Sequence, residues 1–343
     1  MDIQKIVKNS LKLQDGIWQS DSGGYWSNIE QEQMTKFLED LDSMDSLAVV
    51  RKHFPQHEEV IFSPQRVGGV GILDFQPSDV VLDAGCMWGA LAVPIAHMGC
   101  QVIGVDQTRE SMQLMKSRLD EAGLDQAQLV QCNLNKLQLA DESIDKVIVN
   151  GVLEWLAEGN VELDSFQKDK LSKNSQTKKA DTDQNPYDIQ LSFLKKINRS
   201  IKKDGLLYLA IENRFDIINF IGAKDPHTGQ RFITIWPRFI QEFMAKKFTG
   251  RSYLTWTYSK AELKDMLIEA GFNNIEFRYA FSNYRQPELV LTDNGMKQCI
   301  PLRHRTFNSI IKKVLLYSLE TVFYSWLRLS SLAPAFIVIA KKQ

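Results

Sequence analysis

The sequence predicts a three-layer α/β sandwich on a mostly parallel seven-stranded sheet, with N-terminal helical elements and a polar insertion after the fourth strand. Three observations carry that expectation. From residue 79 onwards short apolar runs alternate with helical patterns, the rhythm of a parallel sheet flanked by helices. The first run, "DVVLDAG" (79–85), ends in an acid and a glycine and leads into a helical pattern, the form that receives the nucleotide part of a cofactor. The composition is that of an ordinary globular chain, with 44% hydrophobic and 24% charged residues.

Residues 1–60 read as a cap of helices and loops. "IEQEQMTKFLEDLDSM" (29–44) is amphipathic, with Met34, Phe37, Leu38 and Leu41 on one face. In "FSPQRVGGVGILDF" (62–75), Gly68, Gly69 and Gly71 lie too close together for a regular helix. The main domain spans 61–343. Its strands are expected at 79–85, 101–106, 127–134, 144–151, 205–214, 274–281 and 333–342. A helix at 108–123 starts on a threonine cap and stops at Gly123, and one at 259–272 opens with a capping box of Ser259 and Glu262. The segment 161–188 is rich in Lys, Asp, Ser and Gln and reads as a mobile surface insertion. The segment 215–258 is expected on the acceptor side of the site.

Several function classes recede. A net charge of −1 gives no global field towards nucleic acid, and no basic stripe interleaves with aromatics, so no nucleic acid partner is expected. Cys86, Cys100, Cys132 and Cys299 lie far apart, which suits a reducing cytoplasm rather than a disulfide frame or zinc site. His53, His57, His97 and His304 show no metal-ligand spacing, so no metal is expected. The N-terminus carries charges through its apolar positions, unlike a signal peptide, and no run reaches ~18 apolar residues, the length of a membrane span.

The loop after the first strand has glycines at 85 and 89 with Met87 between them, so a dinucleotide G-x-G-x-x-G register fails. "LDAGCMWGAL" (82–91) instead resembles the glycine loop of class I S-adenosylmethionine-dependent methyltransferases, with Met87 in place of the middle glycine. Asp106, "QCNL" (131–134) and "DKVIVNGVLEWL" (145–156) resemble the family's motifs at the next three strand ends. The resemblance implies a Rossmann-like fold and S-adenosyl-L-methionine as cofactor. Matching positions for it are Asp83, Gly85, Cys86, Gly89, Asp106, Gln107, Asn133, Leu134 and Asn150. Asp106 would hold the ribose hydroxyls, and Asn133 would accept from the adenine amino group. Met87 is expected to turn its side chain from the ligand and pack beneath the first helix.

"IENRFDIINFIGAKDPHTGQRF" (211–232), "YSKAELKDMLIEAGF" (258–272) and "SPQR" (63–66) resemble segments of methyltransferases found with bacterial cell-surface polysaccharide assembly. A small-molecule or glycan-like acceptor follows from that resemblance, methylated at oxygen. N- or S-methylation of a small metabolite, or a non-catalytic cofactor-binding module, remain the alternatives. A hydroxyl acceptor needs a base, and His227 is the candidate, helped by Asp225 or Glu212. A structured turn at 225–229 is the competing reading of the same residues. Tyr25, Trp26, Arg66, Asn213, Arg214 and Tyr284 are the acceptor-binding candidates, though Arg214 could instead form a structural ion pair. The apolar stretch 307–329, with Lys312, Lys313, Glu320 and Arg328 interspersed, fits a helix packed on the core or on a subunit, with a peripheral membrane contact as the alternative.

Overall fold

The computed structural model describes residues 1–25, 27, 29–160, 185–298 and 309–342. Its strands are β1 (Lys12–Gln14), β2 (Ile17–Gln19), β3 (Val80–Ala84), β4 (Gln101–Asp106), β5 (Gln128–Gln131), β6 (Ile144–Asn150), β7 (Ile201–Glu212), β8 (Phe272–Phe281), β9 (Leu289–Leu291) and β10 (Ala335–Lys342). They form one sheet in the order β1-β2-β5-β4-β3-β6-β7-β10-β8-β9. The seven expected strands are all present, but the sheet has ten. The extra three are the N-terminal hairpin and short β9 on the far edge.

Neighbours from β2 to β7 pair in parallel, and β10 inserts antiparallel between β7 and β8. Consecutive apolar residues of each central strand face opposite layers, as the pleat demands. Leu82, Ile103, Val147 and Leu209 face one core with helices Pro186–Ser200 and Lys260–Glu269. Val81, Val102, Ile148 and Ala210 face the other, with helices Ala92–His97 and Arg109–Glu121. Helix Lys260–Glu269 starts on the expected capping box of Ser259 and Glu262.

The first sixty residues are more than a helical cap. Asp15 and Gly16 both take left-handed φ, at 50° and 75°, and close the β1–β2 hairpin; β2 then extends the sheet beside β5. Two left-handed residues are what a tight two-residue hairpin turn requires. The helices Gln31–Leu41 and Ser46–His53 do form a cap, with Met34, Phe37, Val49, Val50 and Phe54 packed around Trp88 and Leu114. Most of the expected insertion lies outside the described residues. Its end, 185–188, belongs to the scaffold: Asn185 caps helix Pro186–Ser200 with its side chain, and Pro186 takes the first helical position.

Ile17, the first residue of β2, pairs with Leu129 of β5 and is fully buried in the core layer with Val102 and Met115. Ile17→Ala should cost about 2–4 kcal/mol if the hairpin is an integral edge of the sheet. Urea unfolding checks this, and a loss below about 0.5 kcal/mol would show the hairpin to be an appendage.

Candidate cofactor and acceptor site

Asp106, the last residue of β4, accepts the Met87 N–H and the Thr108 N–H, both at 2.9 Å. Met87 donates that bond from a left-handed conformation, φ 42°, which costs a residue with a Cβ roughly 1–2 kcal/mol. Its side chain is 50% exposed, so it does not pack beneath the first helix as expected. Gly85 is also left-handed, at φ 80°, and a Cβ there would run into Val152. Cys86 turns its thiol into the core beneath Gly104, and burial pushes that thiol well above its ordinary range, so only its backbone borders the loop. Trp88 anchors the loop from the other side, stacked on Phe37 and Phe54.

The N-terminal segment crosses the ends of β4 and β5. Gly24 N–H donates to the Gln107 carbonyl at 2.9 Å, and Asn133 N–H donates to Ser22 Oγ at 3.2 Å. The Asn133 amide donates to Gln107 Oε1 at 3.1 Å and to the Gly159 carbonyl at 2.6 Å, and accepts from Asn135 N–H at 2.9 Å. Its oxygen, expected to face an adenine amino group, keeps one lone pair for that purpose. Leu134 is buried, and its carbonyl accepts from Lys196. Tyr25 donates to the Ile29 carbonyl and packs with the helical cap, which removes it from the acceptor contacts. Trp26 lies outside the described residues.

Asp83, opposite Gly104 on β4, lies close enough to Asp106 at the end of that strand for their charges to interact. Burial pushes Asp83 up to about 7, with Arg66 pulling down and Asp106 pushing further up. Burial also raises Asp106, against the donors from Thr108 and Met87. Arg66, expected at the acceptor, sits close enough to Asp83 for their charges to interact. It donates to the Arg285 carbonyl at 2.9 Å, while its Nε is buried with no partner. Asn150 Oδ1, at the end of β6, is also buried with no partner. A carboxyl on β3, an unpaired amide oxygen at the end of β6 and the guanidinium of Arg66 from helix Gln65–Gly68 suit a zwitterionic amino acid group.

The second half of the site lies at the ends of β6 and β7. Asp225 accepts Thr228 N–H at 2.8 Å and Thr228 Oγ1–H at 2.7 Å, and meets His227 Nδ1 at 3.2 Å. The turn and the functional pair, alternatives in the sequence, are thus one structure. Tyr284, packed over Gly151, donates its hydroxyl to Glu212 Oε1 at 3.0 Å. Glu154 lies 3.5 Å from the same hydroxyl, and Arg285 Nε donates to it at 3.4 Å. The Oε2 atoms of Glu154 and Glu212 are buried with no hydrogen-bond partner. The edge of Trp155 meets the His227 ring at 4.8 Å between centroids.

Burial, then the neighbouring Glu212, push Glu154 up to about 8. Burial alone would lower His227, but the hydrogen bond to Asp225 and the charges of Glu212, Asp225 and Glu154 outweigh it and carry the imidazole to about 9. Asp225 is held below its usual range by His227 and Thr228 despite its burial. At neutral pH the pair is therefore an imidazolium and a carboxylate. One ligand atom each from Glu154, Glu212 and His227 lies within 4.8 Å of the others, a convergence that could hold a metal ion. Sequence spacing missed it because Glu154, after β6, is brought by the fold against Glu212 and His227, which lie 15 residues apart at and beyond the end of β7.

Other expected acceptor contacts serve the scaffold. Asn213 donates to the Ser331 and Ala333 carbonyls. Arg214 pairs with Glu262 at 2.7 Å and donates to the Thr234 and Trp236 carbonyls, so the ion pair it makes is structural and does not involve Glu212. Glu154 and Arg285 were missed. The signal for Glu154 was an acid inside the apolar run "VLEWL".

The fold and paired strand ends define a nucleotide-cofactor domain of the Rossmann-like class. Residues 76–271, more than half of the chain, match the family described as "Methyltransferase domain". The chain belongs to that family. Among curated relatives, the 23S rRNA (uracil(1939)-C(5))-methyltransferase of Photobacterium angustum is 35% identical over 82 residues, covering 23% of this chain and 37% of the relative. The ubiquinone biosynthesis O-methyltransferase of Agrobacterium fabrum is 29% identical over 133 residues, covering 39% of this chain and 46% of the relative. The chain thus spans less than half the length of either. The solved structure of Haemonchus contortus phosphoethanolamine N-methyltransferase 2 with phosphomonomethylethanolamine and S-adenosylhomocysteine aligns with a TM-score of 0.48 at 13% identity, covering 89% of this chain and 60% of that one.

Asp83 gives a test of the cofactor half. Only its carboxylate form pairs with the cofactor's ammonium, and its raised value of about 7 means that form is lost as pH falls through neutrality. Calorimetry should show S-adenosylmethionine affinity rising as pH increases from about 6 to 8. Asp83→Asn should bind more weakly and lose most of that pH dependence; an unchanged slope would remove Asp83 from the site.

Proposed function

We propose that this chain transfers the methyl group of S-adenosylmethionine to a hydroxyl oxygen of a small-molecule acceptor. One observation carries the choice of oxygen: the buried Asp225–His227 pair beside Glu154 and Glu212, at strand ends adjoining Asp83 and Asn150. The bound cofactor supplies an electrophilic methyl on a sulfonium. A hydroxyl attacking it must lose a proton, and His227 in its neutral form is the group placed to take it. Asp225 orients the imidazole through Nδ1 and steadies the imidazolium that results. Glu212 and Glu154 each bring a carboxyl oxygen within 4.8 Å of the His227 ring nitrogen, where an acceptor's hydroxyls would find hydrogen-bond acceptors.

The cofactor half is assigned to Asp83, Arg66, Asp106, Gln107 and Asn150 side chains, with Gly85 and Gly89 giving the backbone its close approach. Tyr284 borders the acceptor. A glycan-like acceptor is the finer reading, supported by the resemblance of the 211–232 and 258–272 segments to methyltransferases of polysaccharide assembly. The O-methyltransferase name of one relative agrees with oxygen; the rRNA enzyme's acceptor is a property of that relative.

The test uses radiolabelled methyl transfer to pools of hydroxylated metabolites. His227→Ala should keep its cofactor affinity and lose about 100- to 10,000-fold in turnover. Because His227 titrates at about 9 and acts without its proton, parental turnover should climb as pH rises from about 7 and level off above about 9. A flat profile with an active His227→Ala enzyme would instead mark a nitrogen or sulfur acceptor that needs no base.

A further inference from the structure

Apolar side chains reach solvent on elements next to the segment 213–232, the acceptor loop that carries Asp225 and His227. Helix Arg238–Thr249 exposes Phe239 (74%), Phe243 (64%) and Phe248 (64%). Helix Ile310–Glu320 exposes Ile310 and Ile311, the latter at 79%, and Trp326 beyond it is 74% exposed. These elements are linked. Helix Ile217–Phe220 packs on Ile310–Glu320 and on the turn Ile233–Ile235, and that turn packs on Arg238–Thr249. Polar residues would be expected on a surface whose only neighbour is water.

The charge on these elements is mostly positive. Segments 217–251 and 309–329 carry nine Lys or Arg and three acids, in a chain whose net charge is −1. Of the acids, Asp225 and Glu320 are buried, and Glu242 is half-buried and pairs with Lys246. Apart from the Lys246–Glu242 pair, the exposed charges are therefore cations: Lys224, Arg231, Lys247, Lys313 and Arg328 among them. Lys247 lies over the rings of Phe243 and Phe248, 5.8 Å from each centroid. Aromatic and aliphatic tips set among lysines match a bilayer interface, where rings enter the headgroup boundary and cations meet anionic lipids. Among the described residues no helix is long and apolar enough to cross a membrane, so such contact would be peripheral.

We propose that this face docks on an anionic phospholipid bilayer, with Phe239, Phe243, Ile311 and Trp326 inserted and the lysines against the headgroups. Nucleic acid would match the cations but leave Ile310, Ile311 and the phenylalanines without a partner. Docking rests on the methyltransferase reading only for its use, which is to bring the acceptor loop to an acceptor that is itself held in the bilayer.

Vesicle flotation tests the proposal with the full chain. The protein should float with vesicles containing about one-third phosphatidylglycerol, stay behind with pure phosphatidylcholine, and release in high salt. Phe243→Glu and Lys247→Glu should each cut the bound fraction at least about tenfold. Both sites are exposed, so melting temperature and S-adenosylmethionine affinity should stay parental, which separates failure here from failure of the cofactor reading. Equal binding to neutral and anionic vesicles, or none to either, would overturn the proposal. So would a dimer in sedimentation, or RNA binding, that the same substitutions abolish while vesicle binding persists.

Discussion

The functional groups depend on the parallel register of β3 between β4 and β6. That register sets Asp83 opposite Gly104 and Ile148, and it places Asp106 and Asn150 at the ends of the flanking strands. A glycine at 104 leaves room for Met115 and the Cys86 thiol beneath the loop. Parallel strands leave their carboxyl ends open to loops, so four consecutive loops meet there, as open α/β sheets allow. Slipping one strand by a residue would turn its acid into a core layer.

Buried charge is the cost of that arrangement, and the two halves of the site meet it differently. Asp83 and Asp106 are met by backbone donors and by Arg66, and burial still raises both. Around His227 the carboxyl groups of Asp225, Glu212 and Glu154 gather, with the His227 and Asp225 side chains almost wholly buried and Glu154 pushed up to about 8 by burial. The protonated imidazole is the charge that lets them coexist, which is why it titrates so far above its ordinary value. The left-handed Met87 shows a smaller version of the same logic. A conformation suited to glycine is kept because it aims one N–H at Asp106.

The regular parts of the fold were legible because local signals agreed with the final packing. Strand runs ended in Asp83, Asp106 and Asn150, and Ser259 with Glu262 formed the capping box their spacing announced. The β1–β2 hairpin was missed although Asp15-Gly16 is a strong turn signal, because three-residue strands give no alternation to read. Of the acceptor candidates, Asp225, His227, Glu212 and Tyr284 come together. Asn213 and Arg214, beside Glu212 in sequence, face backbone carbonyls instead. Polar residues in one loop look alike in sequence; only tertiary packing decides which ones brace the loop and which ones face the site. Glu154 was hidden for a related reason, since its partners arrive from distant loops.

The central claim is that buried carboxylates hold a proton on His227 and so set the chemistry of the acceptor half. The direct measurement is an NMR titration of the His227 imidazole in selectively labelled protein, assigned with His227→Ala. A midpoint near 9 that falls in Asp225→Asn is the result this account predicts. A midpoint at or below about 6.5, the ordinary value for histidine, would contradict it.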